Sequence, residues 1–352
     1  MTPRRAFARM LGPAAVVAAA LLVSVGVLAG AGADPLAALA ALGGGAFGDR
    51  FALVDTLVKS CPLALTGLAV AIAFRSGVWN IGAEGQLLAG ALAATAAAHA
   101  AAERPLALAA ALASAVAAGA LWAGLAAALK LRRQVNEVIA TIMLNFIAAR
   151  LVGFAVHGPL METAGHYPQS DVLPAAAHLP TLGGGLHGGI ALALGAVPLV
   201  WLVLHRTALG FRWRAAGDNY YATHLAGLAP ARATMSAMLV SGGLAGLAGG
   251  IEVTGVTHRL FEQFSGGQGY TAIAVALLAR LHPGWVAVSA LFFGALTAGA
   301  GAMQRSAGVS AVFASIVQAT VILALLAAEA PRFAHRRGRR RDDLAPRAGT
   351  AA

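Results

Sequence analysis

Residues 205–232 read HRTALGFRWRAAGDNYYATHLAGLAPAR, a polar stretch bearing Arg206, Arg212, Arg214 and Arg232 in a chain that is otherwise almost entirely apolar. After the arginines comes Gly217-Asp218-Asn219, then a candidate short helix carrying Ala222, Leu225 and Ala226 and closed by Gly227. Asp218 or Asn219 can cap the first turn of that helix, and Gly227 suits its end. The stretch is either a solvated connector between two spans or a docking element that receives force from outside the chain. The flanking sequence has to decide.

Working outward, the chain has 352 residues, of which 59% are hydrophobic and 11% charged. Soluble domains carry about 25% charged residues, so composition alone makes this an integral membrane protein. Its single cysteine, Cys61, can form no intrachain disulfide. Gly, at 43 residues, and Ala are abundant, as close helix packing in lipid requires. The formal charge of +11 is concentrated at the ends and in short loops, a placement that fits cytoplasmic anchoring and not nucleic-acid contacts.

A membrane helix needs about 20 mainly apolar residues. The pattern predicts about ten spans, at 12–30, 51–74, 81–98, 106–129, 137–157, 188–205, 233–257, 270–281, 284–303 and 309–328. The eighth is too short to cross alone and reads as tilted, broken or re-entrant. With the N-terminus inside, the cytoplasmic segments collect 19 of the 25 basic residues, which places both termini in the cytoplasm. Arg4, Arg5 and Arg9 before an apolar run, with Ala31-Gly32-Ala33 after it, also allow a signal peptide, although a retained helix is the expectation. Residues 1–330 form the transmembrane domain, and 331–352 read as a basic, disordered cytoplasmic tail near anionic headgroups. The longest external segment, 158–187, suits a lid or a docking surface. His157, His166, His178 and His187 lack compact ligand spacing and read as ordinary loop residues, so no metal site is expected.

Catalytic signatures are missing: there is no CxxC, HExxH or GxSxG. The only lysines, Lys59 and Lys130, follow Val58 and Leu129, whereas a phosphate-cradling P-loop needs Gly immediately before its Lys. The chain thus carries no P-loop, and any ATP site must belong to another polypeptide. Polar residues gather in two places. Asn80, Glu84 and Gln86 cluster where a helix enters the membrane, and can either cap it or face a solute path beside the flexible Gly82 and Gly85. Asn145 is deeper, lining a path or bonding to a neighbouring helix. Gly242, Gly246 and Gly250 lie four apart and read as a packing stripe.

Several of these motifs together resemble the permeases of nucleoside and simple-sugar ABC importers that work with a basic-membrane-protein-type lipoprotein. They are Asn80–Gln86 (NIGAEGQ), Asn136–Asn145 (NEVIATIMLN), Thr207–Arg212 (TALGFR), the Gly217–Gly227 loop, Ser241–Gly249 (SGGLAGLAG) and Ile273–Leu278 (IAVALL). The resemblance implies an all-α, type II ABC importer-like permease in the bacterial inner membrane, the larger of two paralogues in a heterodimer. It further implies a cytoplasmic ATPase that uses ATP and Mg, an external binding lipoprotein, and no cofactor on this chain. Its coupling helix maps to Gly217, Asp218, Asn219, Ala222, Leu225 and Gly227, favouring the docking reading of the opening stretch. The expected solute is a nucleoside moved by alternating access, with Asn80, Glu84, Gln86 and Asn145 on or beside the path. A ribose-like sugar is the alternative, and an ion-coupled transporter the more distant one. Tyr220 stands where the family commonly has Pro, and Gly269-Tyr270-Thr271-Ala272 where it has Gly-Phe-Asp-Gly; the lost acid loosens the ligand assignment.

Overall fold

The structure is a computed structural model describing residues 34–308, with isolated positions at 22–30 and 312–320 that are helical where described. Those isolated positions group with the chain ends as one unit, and Leu39–Gly308 forms the other. The expected spans 12–30 and 309–328 fall on residues described only at isolated positions, and the tail 331–352 lies outside the described residues.

Within 34–308 the helices are α1 Pro35–Phe47, α2 Arg50–Arg75, α3 Ala83–Ala101, α4 Ala107–Arg133, α5 Glu137–His157, α6 Gly189–Arg206, α7 Ala208–Asp218, α8 Tyr220–Leu225, α9 Pro230–Glu252, α10 Gln268–Leu278 and α11 Pro283–Ala307. Six of them, α2, α4, α5, α6, α9 (extended to Thr257) and α11, are long and apolar enough to cross a membrane. The sequence pattern predicted about ten spans, so the count among the described residues is lower. Glu84, Gln86 and His99 reduce the apolar character of α3, and α10 has only 11 residues. Helix α1 was not anticipated; its Ala46 carbonyl accepts a hydrogen bond from Thr56 Oγ at 2.9 Å.

The packing follows from small residues. Helix α9 lies against α3 and α4, while α2 packs on α9, α10 and α11. In lipid there is no hydrophobic gain from bringing helices together, so close van der Waals contact has to hold them. Gly246 provides it: a Cβ there would fall on the Ala115 carbonyl and the Gly119 backbone, and Gly242 meets Gly119 and Ala123 in the same way. Gly250, the third member of the stripe, faces Ala115 and Leu112. Helix α2 is buried over most of its length despite Pro62, whose carbonyl accepts from Thr66 Oγ at 2.6 Å.

The segment between α5 and α6 contains a two-strand hairpin, β1 Thr181–Gly183 and β2 Leu186–His187, turned through Gly183, Gly184 and Gly185. It forms a strap along the end of α9. Leu179 N donates to Thr254 O at 2.9 Å, Leu173 N to His258 O at 2.9 Å, and Ser170 N to Leu260 O at 2.7 Å. Helix α9 ends there in a π-helical turn, Val253–Thr257, followed by His258 in the left-handed region. The chain then runs irregularly to α10. This interruption builds the site.

Candidate functional site

The first polar group is a closed clasp. Asn80 is fully buried in the turn between α2 and α3. Its Oδ1 accepts from Gly82 N at 2.9 Å and Gln86 Nε2 at 3.0 Å, while its Nδ2 donates to Gln86 Oε1 at 3.1 Å and Ser241 Oγ at 3.0 Å. Ser241 Oγ passes its own proton to Ala69 O at 2.7 Å. Every donor and acceptor of the Asn80 amide therefore has a bond, as burial demands. The clasp pins the start of α3 to both α2 and α9.

The second group faces space. Glu84, in the first turn of α3, accepts from Ser265 Oγ through Oε1 and from Gly269 N through Oε2 at 2.7 Å. Gly269 is in the first turn of α10, so the positive end of that short helix and a carboxylate meet directly. Asn145 on α5 accepts from Gly85 N at 2.8 Å and donates to Ile81 O at 2.9 Å and Tyr270 Oη at 3.3 Å. Gly85 permits this approach, since a Cβ there would stand 2.8 Å from Asn145 Oδ1.

Around these residues lies a cleft of about 520 Å³. Its floor is Glu84, Asn145 and Tyr270; α5 contributes Phe146 and Arg150, and the 262–267 loop contributes Glu262 and Ser265. Arg150 and Glu262 are exposed, and neither has a hydrogen-bond or ion-pair partner among the described residues. Of the four residues expected on or beside a solute path, Glu84 and Asn145 line this cleft, whereas Asn80 and Gln86 are sealed in the clasp behind it. Phe146, Arg150, Glu262 and Ser265 were not proposed for the path from sequence, and Tyr270 was noted only as part of the departure from Gly-Phe-Asp-Gly. The signal available for Ser265 was Gly266-Gly267 placed just before a short apolar run.

At the end of α9 away from the strap, the 205–232 stretch is mostly helical. Gly217 and Asp218 close α7 and do not precede α8 as free loop. Asn219, not Asp218, caps α8, accepting from Ala222 N at 3.0 Å. Gly227 has φ +76° and ends the turn. Only Thr223 of α8 is buried; Tyr221, Ala222 and Leu225 point outward. Gly217 rests on the backbone of Arg75 to Gly77, so α7 is seated against the end of α2.

The loop histidines are not alike. His178 stacks on His258 at 3.9 Å between ring centres, and His187 is 2% exposed. Among the described residues no group of three or more His, Cys, Asp or Glu side chains is placed to hold a metal ion.

Comparison with known proteins places this geometry in context. The family model for the permease component of branched-chain amino acid transport systems matches residues 52–326. The glucose ABC transporter permease protein TsgB13 of Haloferax volcanii is 35% identical over 94% of this chain and 91% of its own length. The guanosine ABC transporter permease protein NupP of Bacillus subtilis is 34% identical, covering 83% of this chain and 86% of its own. The nucleoside ABC transporter permease protein NupB of Lactococcus lactis is 28% identical over 79% of each chain. No solved structure gives a significant match.

Proposed function

The chain belongs to this family of multi-pass membrane permeases, and from that premise we propose that it is one transmembrane subunit of an ATP-driven importer of nucleosides. The observation that carries the solute class is the cleft: aromatic rings at Phe146 and Tyr270 beside an amide, a free guanidinium and a free carboxylate. A heteroaromatic base stacks its flat π-face on rings and presents fixed donor and acceptor edges to polar groups, whereas a sugar meets rings only through its narrower C–H face. The names of the guanosine and nucleoside permeases agree with this choice. The glucose permease of Haloferax volcanii keeps sugars as the second reading.

In this proposal the cleft belongs to a central path completed by a second permease. Bacillus subtilis has both NupP and NupQ, and Haloferax volcanii both TsgB13 and TsgC13, all related to this chain. The 205–232 stretch lies in the cytoplasm, where the outward face of α8 docks on an ATPase that binds ATP and Mg. The strap between α5 and α6 then faces outside, towards a solute-binding lipoprotein. Motion of α8 passes through Gly217 to the end of α2, and from there through the clasp to the start of α3. The short α10 and its loop shift against Glu84 as the cleft opens to alternate sides.

The test is reconstitution of this permease with its paralogue, ATPase and binding protein in vesicles. ATP should drive accumulation of labelled guanosine or adenosine, and excess unlabelled glucose should leave it unchanged. Accumulation of glucose in place of nucleosides would move the assignment to the sugar reading. Uptake by the permease alone against a gradient would overturn the whole scheme.

A further inference from the structure

Beyond solute transport, the strap and the cleft loop share a set of three histidines, His187 buried and the other two half-buried. His178 lies before the hairpin, His187 ends it, and His258 follows the π-turn of α9. The His178 and His258 rings stack at 3.9 Å with a 22° angle between planes, and His178 Nε2 bonds to Leu173 O at 3.0 Å. Neither ring nitrogen of His187 has a partner, and His258 Nδ1 has none. Gly189 and Gly255 leave the room that the His187 ring occupies.

We infer that His187 and His258 form a proton-operated latch: neutral rings hold the strap against the end of α9, and their protonation releases it together with the loop that walls the cleft. A neutral ring packs well among Leu179, Ile251 and the glycine backbone. A protonated one has two donors to satisfy, and His187 has no acceptor within reach of either nitrogen. The backbone bonds of Ser170, Leu173 and Leu179 to Leu260, His258 and Thr254 sit directly on this set, so its disruption reaches the 262–269 loop within a few residues.

The surrounding charges do not offset a proton. On the strap, Glu162 is engaged with Gln169, Tyr167 N and Arg259, and Asp171 with Thr163. At the α3–α4 turn, Glu103 accepts from Ala175 N and Ala176 N, and His99 lies near Asp171. Arg259 follows His258 directly and adds a positive charge. Arg50 of α2 lies against Gly184 of the hairpin turn, Glu252 of α9 lies near Lys59 of α2, and Lys59 is paired with Asp55. No carboxylate bonds to any of the three rings among the described residues. Burial, and then the neighbouring His258, holds the His187 pKa below the ordinary histidine value. Burial and then His178 do the same for His258, with the Thr254 backbone opposing. The docked strap therefore binds fewer protons than the released one. Its stability is complete above the ordinary histidine pKa of about 6.5 and is lost as the pH falls below it.

The test is hydrogen exchange, corrected for intrinsic rate, on the assembled transporter in nanodiscs at pH 7.5 and 5.5. Protection of the Ser170, Leu173, Leu179 and Gly269 amides should fall on the order of tenfold at the lower pH, while amides in the centre of α9 stay constant. In the doubly substituted His187→Leu, His258→Phe protein, which keeps a ring on His178 but cannot take up those protons, protection should hold at pH 5.5. Equal protection of the wild-type strap at both pH values overturns the latch, whether or not the variant folds. So does a double variant that keeps the wild-type drop. Because the readout is exchange and not uptake, the result does not depend on which solute is carried.

Discussion

Replacing Glu84 by Ala is the sharpest single perturbation. The Glu84 side chain is 6% exposed, and both its oxygens are acceptors, from Ser265 Oγ and Gly269 N. Hydrogen bonds to a charged group contribute about 1.5–3 kcal/mol each, so the two tether the cleft loop to α3 by about 3–6 kcal/mol. Ser265 and Gly269 are themselves buried, and water cannot fully replace the lost acceptor. At about 1.4 kcal/mol per tenfold, even the lower figure raises the open population of the loop about a hundredfold. Glu84→Gln should be far milder, because its carbonyl can still accept from Gly269 while its amide donates to Ser265 Oγ. The assay pairs nucleoside uptake in reconstituted vesicles with exchange of the Gly269 amide and with the yield of inserted protein. The alanine variant should insert normally, lose most uptake and lose Gly269 protection; the glutamine variant should stay within about tenfold of wild type. Uptake within twofold of wild type for Glu84→Ala, with unchanged exchange, refutes the tether. Equal loss of uptake and of inserted protein would reduce Glu84 to a structural part.

Tyr270→Ala removes the ring from the cleft floor and the hydroxyl that accepts from Asn145. Base stacking on an aromatic side chain is worth about 1–3 kcal/mol, so nucleoside uptake should fall about 5- to 150-fold, whereas Tyr270→Phe should keep most of it. Asn219→Ala deletes the cap of the six-residue α8 at a cost of about 1 kcal/mol; solute-stimulated ATP hydrolysis should drop while insertion is unchanged, and Asn219→Asp should restore it. Gly246→Ala should lower the thermal midpoint in detergent, since an overpacked contact costs about 1–3 kcal/mol and the opposing atoms are backbone. Gly195→Ala, which meets nothing within 4 Å, should leave the midpoint level or raise it slightly.

Much of the architecture was legible because lipid imposes simple rules. Length and apolarity marked α2, α4, α5, α6, α9 and α11, and the four-residue spacing of Gly242, Gly246 and Gly250 pointed to the face that meets α3 and α4. Capping chemistry located α8, although Asp218 and Asn219 could not be ranked until α7 was seen to run through Asp218. The partners of the polar residues were not legible. Asn80 and Ser241 are 161 positions apart, and Glu84 and Gly269 are 185 apart. Nothing local to NIGAEGQ says that Asn80 and Gln86 turn inward to each other while Glu84 turns to the cleft. The π-turn at Val253–Thr257 and the irregular chain after it carry no periodic signal, and these place Glu262, Ser265 and Tyr270. The strap histidines read as unremarkable because their companion, His258, lies 71 positions beyond His187.

The Asn80 amide spends all its bonding capacity on its own scaffold and has none left for cargo. If that amide is the fulcrum of the proposed cycle, the cycle is indifferent to what passes beside it. Relatives named for glucose and for guanosine resemble this chain to nearly the same degree, which is the tolerance such indifference would allow. A change of diet would then fall on the cleft rim, at side chains such as Arg150 and Glu262 that owe nothing to the hinge. Altering the menu and keeping the machinery become separable problems, for selection and for an engineer alike.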